Sequence, residues 1–421
     1  MPELKNWDWE TSEKLITDIN EWKAKFTDVW EPYVSPDGEK IAAVVKAEDG
    51  SFTACVDGAS WENTFEKMWY PRFGPDSRLT AFVSEADEWT VAVDGKAWEN
   101  KFAYVWNTKF SPDGKNIAVQ TQKDMLYTVA INGNPWEKSF ENVTNYIFSP
   151  DGQRIAVNAQ TTKLKEGDIF GFQEGIWTVA VDGKLWDKNF VNVWGLAFSA
   201  DSKRVAADVR LTLYDYTIAV DGELWGETCG CVWEPKFSPQ NGDVAAPVKV
   251  KGGWTLAING KPAWDKRFTQ LWHQVYSPNG QKIAAVVATA LGKWTIAVDG
   301  SPWAKTFGDA VLEPVFSPDG KKVAAVGKDA EKWMMIVDGS MWEGTFDNIW
   351  QPIFSPNGDK IAAKVERNGK FTFIMDGQTS RREYEALWDP VFSPDGNKVL
   401  VRAIEGGKYY RRVVPAGEIF G

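Results

Sequence analysis

The sequence predicts an all-β protein, a β-propeller of ten four-stranded blades. Three observations carry that prediction. A turn of the form Ser-Pro-Asp-Gly recurs ten times, beginning at Ser35, Gly74, Ser111, Ser149, Ser199, Ser238, Ser277, Ser317, Ser355 and Ser393. The same pattern of four short strand-like segments returns between successive turns. A period near 40 residues with four strands per unit is the signature of a propeller. Finally, 22 of the 24 tryptophans fall in three columns that keep this period.

The unit at 277–316 shows why each element forms. Ser277-Pro278-Asn279-Gly280 places Pro and Gly as a type I turn requires. Ile283-Ala284-Ala285-Val286-Val287 is a strand rich in β-branched residues, small enough on one face for a neighbouring sheet to approach. A polar loop leads to the alternating strand Trp294-Thr295-Ile296-Ala297-Val298, and Asp299-Gly300 makes a second tight turn. The fourth strand contains Trp303 and Phe307, and Val315-Phe316 enters the next turn. A four-strand meander puts both kinds of tight turn on one face of the disc. The variable loops between second and third strands fall on the other.

The aromatic columns fix the register. One precedes the Asp-Gly turn (Phe52, Trp89, Tyr127, Trp177, Tyr216, Trp254, Trp294, Trp333, Phe371). A second follows it (Trp22, Trp61, Trp98, Trp136, Trp186, Trp225, Trp264, Trp303, Trp342). A third lies farther on (Trp30, Trp69, Trp106, Trp194, Trp233, Trp272, Trp350, Trp388). A bulky residue repeated at every blade is what inter-blade packing needs, so all three columns are expected to be buried between blades.

The chain begins and ends partway through a unit. Asp18 to Phe26 matches a fourth strand, while Lys398 to Ala403 and Tyr409 to Val414 match a second and third. Pairing of the two termini would complete one blade and remove an open sheet edge. One ring of ten follows, with two five-bladed rings as the alternative. Residues 1–17 form an extension, and 18–421 the propeller. An insertion near 161–175 lengthens the interval from Ile155 to Trp177 to 22 residues, against 11 from Ile283 to Trp294.

Composition excludes several functions. The net charge of −11 disfavours nucleic acid. No apolar run approaches the roughly 20 residues of a membrane span, and the N-terminus lacks the apolar core of a secretory signal. These features read as a cytoplasmic protein. The single histidine, His273, cannot build a triad or a multi-histidine metal site alone and is read as a residue at the solvent edge. Cys229-Gly230-Cys231 offers too few ligands for zinc or an iron–sulfur cluster, so these two thiols are read as a buried pair. The Asp-Gly pairs lack calcium-loop spacing and are read as turn carboxylates satisfying their own backbone. No catalytic residues, cofactor or metal are therefore expected, and the chain is read as no enzyme.

Partner-binding candidates are large apolar residues freed from the repeat. They are Trp7 and Trp9 in the extension, and Ile169, Phe170 and Phe172 in the one loop that breaks the period. Aromatic anchors dominate interface energetics.

The unit Phe-Ser-Pro-Asp-Gly-x-x-Ile-Ala, at Phe110 to Ala118 and Phe316 to Ala324, resembles the WD40-like repeat of the TolB and prolyl-oligopeptidase propellers. The tryptophan load and the block Trp-Thr-Val/Ile-Ala-Val-Asp-Gly-x-x-Trp resemble something narrower: the tryptophan-rich subunit, TmcD, of the Tmc transmembrane redox complex of sulfate-reducing bacteria. That resemblance implies a cofactor-free accessory subunit at the cytoplasmic side of the membrane, beside iron–sulfur and cytochrome subunits. It transfers no functional residue, since the shared motif is the repeat itself. The expected function is a non-catalytic scaffold in a membrane-bound electron-transfer complex. A propeller binding a small ligand or glycan is the alternative.

Overall fold

Each Asp-Gly or Asn-Gly pair turns the chain back at a residue that tolerates positive φ. Asp57, Asp94, Asn132, Asp182, Asp221, Asn259, Asp299, Asp338 and Asp376 all have φ between 45° and 52°, with a positive-φ glycine after each. This is the geometry of a type I′ hairpin turn. The side-chain oxygen of that residue does not cap its own turn, as the sequence suggested. It accepts the backbone N–H that opens the blade's second strand, at Ile41, Leu79, Ile117, Ile155, Val205, Val244, Ile283, Val323 and Ile361, over 2.8–2.9 Å. The Ser-Pro-Asp-Gly turns are stitched by a different bond, from the serine hydroxyl to the Asp carboxylate two residues on, as in Ser111 to Asp113 at 2.6 Å.

The computed structural model describes residues 4–165 and 167–419. It contains ten antiparallel sheets. In chain order, blades 1 to 9 span residues 28–60, 67–97, 104–135, 142–185, 192–224, 231–262, 270–302, 310–341 and 348–379. Blade 10 combines residues 386–415 with the N-terminal strand Ser12–Asp18, which pairs antiparallel with Lys408–Pro415. First strands of adjacent blades approach one another, as 142–148 does 192–198, so the first strand is innermost.

The blades form one ring rather than two. At the tight-turn face, Lys40 donates to the Ser77 carbonyl, Arg78 to Gly114, Asn116 to Gly152, Arg154 to Ser202 and Arg204 to Gly242. Gly280 then lies against Gln240 and Gly320 against Asn279, Lys322 reaches the Gly358 carbonyl, and Gly396 lies against Asn357. Arg402 closes the circuit by donating to the Ser35 carbonyl at 3.1 Å.

Two details differ from the sequence reading. The closing fourth strand is Ser12–Asp18, and Ile19–Lys25 is a helix. Asp18 caps that helix by accepting the Asn20 N–H, and the segment contains no β-branched residue after Ile19 to favour extension. Trp22 still fills its column's slot, beside Gly58 of the next blade. The insertion is not all loop, because Ile169–Glu174 forms a short helix capped by Asp168.

The core lies between blades. Ala284, Val286 and Ile296 of blade 7 meet Phe307, Val323, Ala325 and Ile336 in one cluster that joins it to blade 8. The alanine pairs of the second strands let adjacent sheets close together.

Candidate functional site

The three aromatic columns have different fates. The second packs against the next blade, with Trp61 on Gly95, Trp98 on Gly133, Trp225 on Gly260, Trp264 on Gly300 and Trp303 on Gly339, but of the column only Trp22 and Trp264 are fully buried and the others are half-buried. A Cβ at Gly95 would come within 3.0 Å of Trp61, so glycine is required there for the ring's approach as well as for its positive φ. The third column is not buried. Its tryptophans contact the first column of their own blades, some stacked, as Trp69 on Trp89, Trp194 on Tyr216 and Trp233 on Trp254, and others edge-on, as Trp106 on Tyr127 and Trp350 on Phe371. Trp30, Trp69, Trp194 and Trp233 all remain exposed. The reason is their place on the innermost strand, where one ring face meets the third strand and the other looks inward, away from any neighbouring sheet.

The first strand itself comes in two forms. In blades 1, 2, 6, 8, 9 and 10 a proline follows the residue after this column: Glu31-Pro32, Tyr70-Pro71, Glu234-Pro235, Glu313-Pro314, Gln351-Pro352 and Asp389-Pro390. In all of these except blade 2 the strand splits into two short pieces, as suits a residue that supplies no ladder N–H. In blades 2, 3, 4, 5 and 7 the strand runs through with a register shift. Tyr70, Asn107 and His273 take positive φ in that shift.

Between blades 5 and 6 these irregularities leave a recess of about 570 Å³, lined by Asn145, Trp194, Gly195, Asp208, Tyr216, Cys231, Val232, Trp233 and Glu234. Gly195 is the only glycine following the third column, where other blades have larger residues. A Cβ there would fall 2.4 Å from Asp208 Oδ1 and 2.9 Å from Glu234 Cβ. Its absence opens the recess. Asp208 is the fourth residue of its second strand and only 3% exposed. Burial pushes its carboxyl up to about 7, opposed by the Gly195 N–H that it accepts at 2.5 Å and reinforced by the Glu234 charge.

At the mouth, Glu234 lies 3.7 Å from His273 Nδ1. Burial works to raise the Glu234 carboxyl, but His273, with smaller help from its own backbone and Lys236, holds it below the ordinary range. Glu234 in turn raises the His273 imidazole. His273 is exposed, as its sequence position suggested. Cys229 and Cys231 are half-buried and unpaired rather than a buried pair.

The partner candidates separate. Trp7 and Trp9 stack on each other with centroids 6.1 Å apart, and the Trp9 indole donates to the Leu4 carbonyl. Lys398 donates to the Trp9 carbonyl and Arg411 to that of Asp8, so the extension lies on blade 10 at the tight-turn face. Ile169 and Phe170 stand exposed on the opposite, open face, while Phe172 is half-buried. The sequence reading missed four companions on that face: Met125 of blade 3, Leu213 and Tyr214 of blade 5, and Leu291 of blade 7. Their signal was present, since each is a large apolar residue in a loop between second and third strands.

The architecture defines the class: this is a ten-bladed β-propeller. No protein-family model matches the chain, and neither does any curated protein. Among solved structures it is similar to one described as the crystal structure of the eukaryotic initiation factor, with a TM-score of 0.50 and 15% identity over 81% of this chain and 93% of that one. It also matches the structure of the Dos1 propeller, with a TM-score of 0.39 and 12% identity over 73% of this chain and 91% of that one. At these identities the likeness concerns the fold alone. Among the described residues, no helix is long and apolar enough to cross a membrane.

Proposed function

We propose that the chain is a non-catalytic scaffold that docks a protein partner on its open face, as the accessory subunit of a membrane-bound electron-transfer complex at the cytoplasmic side. One observation carries the docking reading. Blades 3, 4, 5 and 7 each raise an apolar side chain from that face, with Met125 77% exposed, Phe170 81%, Tyr214 80% and Leu291 95%. Apolar groups gathered on one face and absent from the repeat's packing are the pattern of an interface. The redox assignment rests on the sequence resemblance, with iron–sulfur and cytochrome subunits as partners.

The test is affinity purification of the tagged chain from native membranes. Co-elution of haem- or iron–sulfur-containing subunits supports the proposal, and a Phe170→Ser/Tyr214→Ser double variant should lose them. Recovery of the chain only as a free monomer would overturn it.

A further inference from the structure

The recess between blades 5 and 6 is chemically unlike the rest of the inner layer, and the ring supplies its own control. The fourth residue of each second strand faces this layer. In blade 9 that residue is Lys364, whose ammonium sits 3.7 Å from the centroid of the third-column Trp350. In blade 10 the residue at that register is Arg402, whose guanidinium donates to the carbonyls of Asp389, Ser35 and Pro36. In blade 9 the propeller thus lays its own cation on a third-column tryptophan. In blade 5 the same register position is Asp208. An acid replaces the base, two third-column tryptophans expose their rings, and the space a cation would occupy is open.

Asp208 also lacks a basic partner. Its carboxylate is met by the backbone N–H of Gly195 and by its own. Among the described residues no ion pair involves it, and the charge that bears on it is another carboxylate, Glu234. A buried acid beside a second acid, with no basic partner, is costly unless a cation arrives. The acids are not arranged for a metal, because among the described residues no three His, Cys, Asp or Glu side chains are grouped to hold one. Aromatic faces beside carboxylates suit a softer ion, since indole rings attract alkylated ammonium groups through the ring quadrupole. A volume of about 570 Å³ fits a small molecule.

We propose that this recess binds a small organic cation, an alkylated ammonium held against the Trp194 and Trp233 rings and charge-paired with Asp208 and Glu234. The inference stands apart from the docking reading, because it concerns the inner strands and not the loop tips.

The experiment titrates the full chain with choline and with its neutral isostere 3,3-dimethylbutan-1-ol, followed by tryptophan fluorescence and calorimetry. Choline should bind saturably and the isostere more weakly by about tenfold or more, the share that charge contributes over an aromatic site. Asp208→Asn keeps the shape and the Gly195 hydrogen bond while removing the charge, and it should weaken choline by a similar factor. Trp233→Leu should do likewise, whereas Trp350→Leu, across the ring, should leave affinity unchanged. Near-ultraviolet circular dichroism identifies any variant that has lost its fold, and the isostere comparison on the unaltered chain needs no variant.

The groups facing the site are Asp208, Glu234, His273, Glu313 and Lys236. A bound cation favours ionised Asp208, and loss of the His273 proton frees Glu234. Affinity should therefore rise with pH through neutrality, with proton release on binding. Equal binding of the neutral isostere, unchanged affinity in Asp208→Asn, or no saturable response to choline, tetramethylammonium or putrescine at millimolar concentration would each overturn the proposal.

Discussion

On the tight-turn face blades 1 to 9 close with the same two kinds of turn, and the second-column tryptophans settle on the glycine of the following blade almost all the way round. On the open face the loops differ in length, charge and apolar content from one blade to the next. Both faces belong to the same strands, so the contrast is not one of fold. The tight-turn face is where neighbouring blades interlock, and a change in one blade is felt by the next. The open-face loops have no such neighbour, and their sequences are free to carry something else. Recesses on the inner strands sit between these regimes: the repeat sets the tryptophans, and single departures such as Gly195 and Asp208 decide what each recess can hold.

The tight-turn face should break most readily where the ring closes, because blade 10 is not continuous in sequence: Ser12–Asp18 joins Lys408–Pro415 by strand pairing alone. Arg411 is fully buried there, with its Nε 2.8 Å from Glu39, and it donates to the carbonyls of Asp37 and Asp8. Arg411→Ala would remove a buried side chain and leave the Asp37 and Asp8 carbonyls without this donor, and it should cost about 2–4 kcal/mol. A denaturant midpoint unmoved by the substitution would mean that the closure is held by the Ser12–Asp18 strand alone.

A second test lies within the repeat. Trp303 rests on Gly339, whereas nothing lies within 4 Å of a Cβ built on Gly183, the partner expected for Trp136. That interface has a gap of about 550 Å³ lined by Trp136, Asp182, Gly183 and Lys184. Trp303→Ala should cost roughly 2–4 kcal/mol, and Trp136→Ala less than half as much, since it removes fewer contacts. Equal losses would show that the tryptophan-on-glycine contact is not what joins the blades.

Much of this was legible in the sequence. The Ser-Pro-Asp-Gly period gave the blades and their count, because a turn that needs fixed residues leaves a fixed signature. The terminal splice was legible too, but not its register. Trp22 keeps its column while the backbone beneath it turns helical, so the aromatic position suggested a strand six residues too late. The third column misled for a related reason. Its residue type repeats like that of the columns packed against other strands, and its place on the innermost strand leaves Trp30, Trp69, Trp194 and Trp233 exposed. Asp208 was illegible as a site residue, since its environment depends on Gly195 of the adjacent strand and Glu234 of the next blade, neither near it in sequence.

Asp208 offers a test of intermediate size. Its carboxyl is raised to about 7 in the folded chain, so the fold holds a proton that the unfolded chain releases above the ordinary carboxyl range. Stability therefore falls as pH rises from about 4 to about 7. Asp208→Asn removes this loss, and it should melt higher than the unaltered chain at pH 8 while matching it at pH 4. An advantage that persisted unchanged at pH 4 would point to packing rather than ionisation.

The least effect on stability is expected at the open face. Phe170 is 81% exposed on the helix Ile169–Glu174, and its ring has no ring–ring or cation–ring contact among the described residues. Phe170→Ser should shift unfolding by no more than about 0.5 kcal/mol, as for surface positions generally. Phe172→Ser, at a half-buried position on the same helix, should cost somewhat more. Removing residues 4–11 should cost more again, because Trp7 and Trp9 stack together and the segment accepts hydrogen bonds from Lys398 and Arg411. Partner retention, measured by co-purification, should run the other way: it should fall with Phe170→Ser and survive the truncation. If the truncation abolished retention while Phe170→Ser spared it, the interface would belong to the tight-turn face, and the contrast between the two faces would have to be reversed.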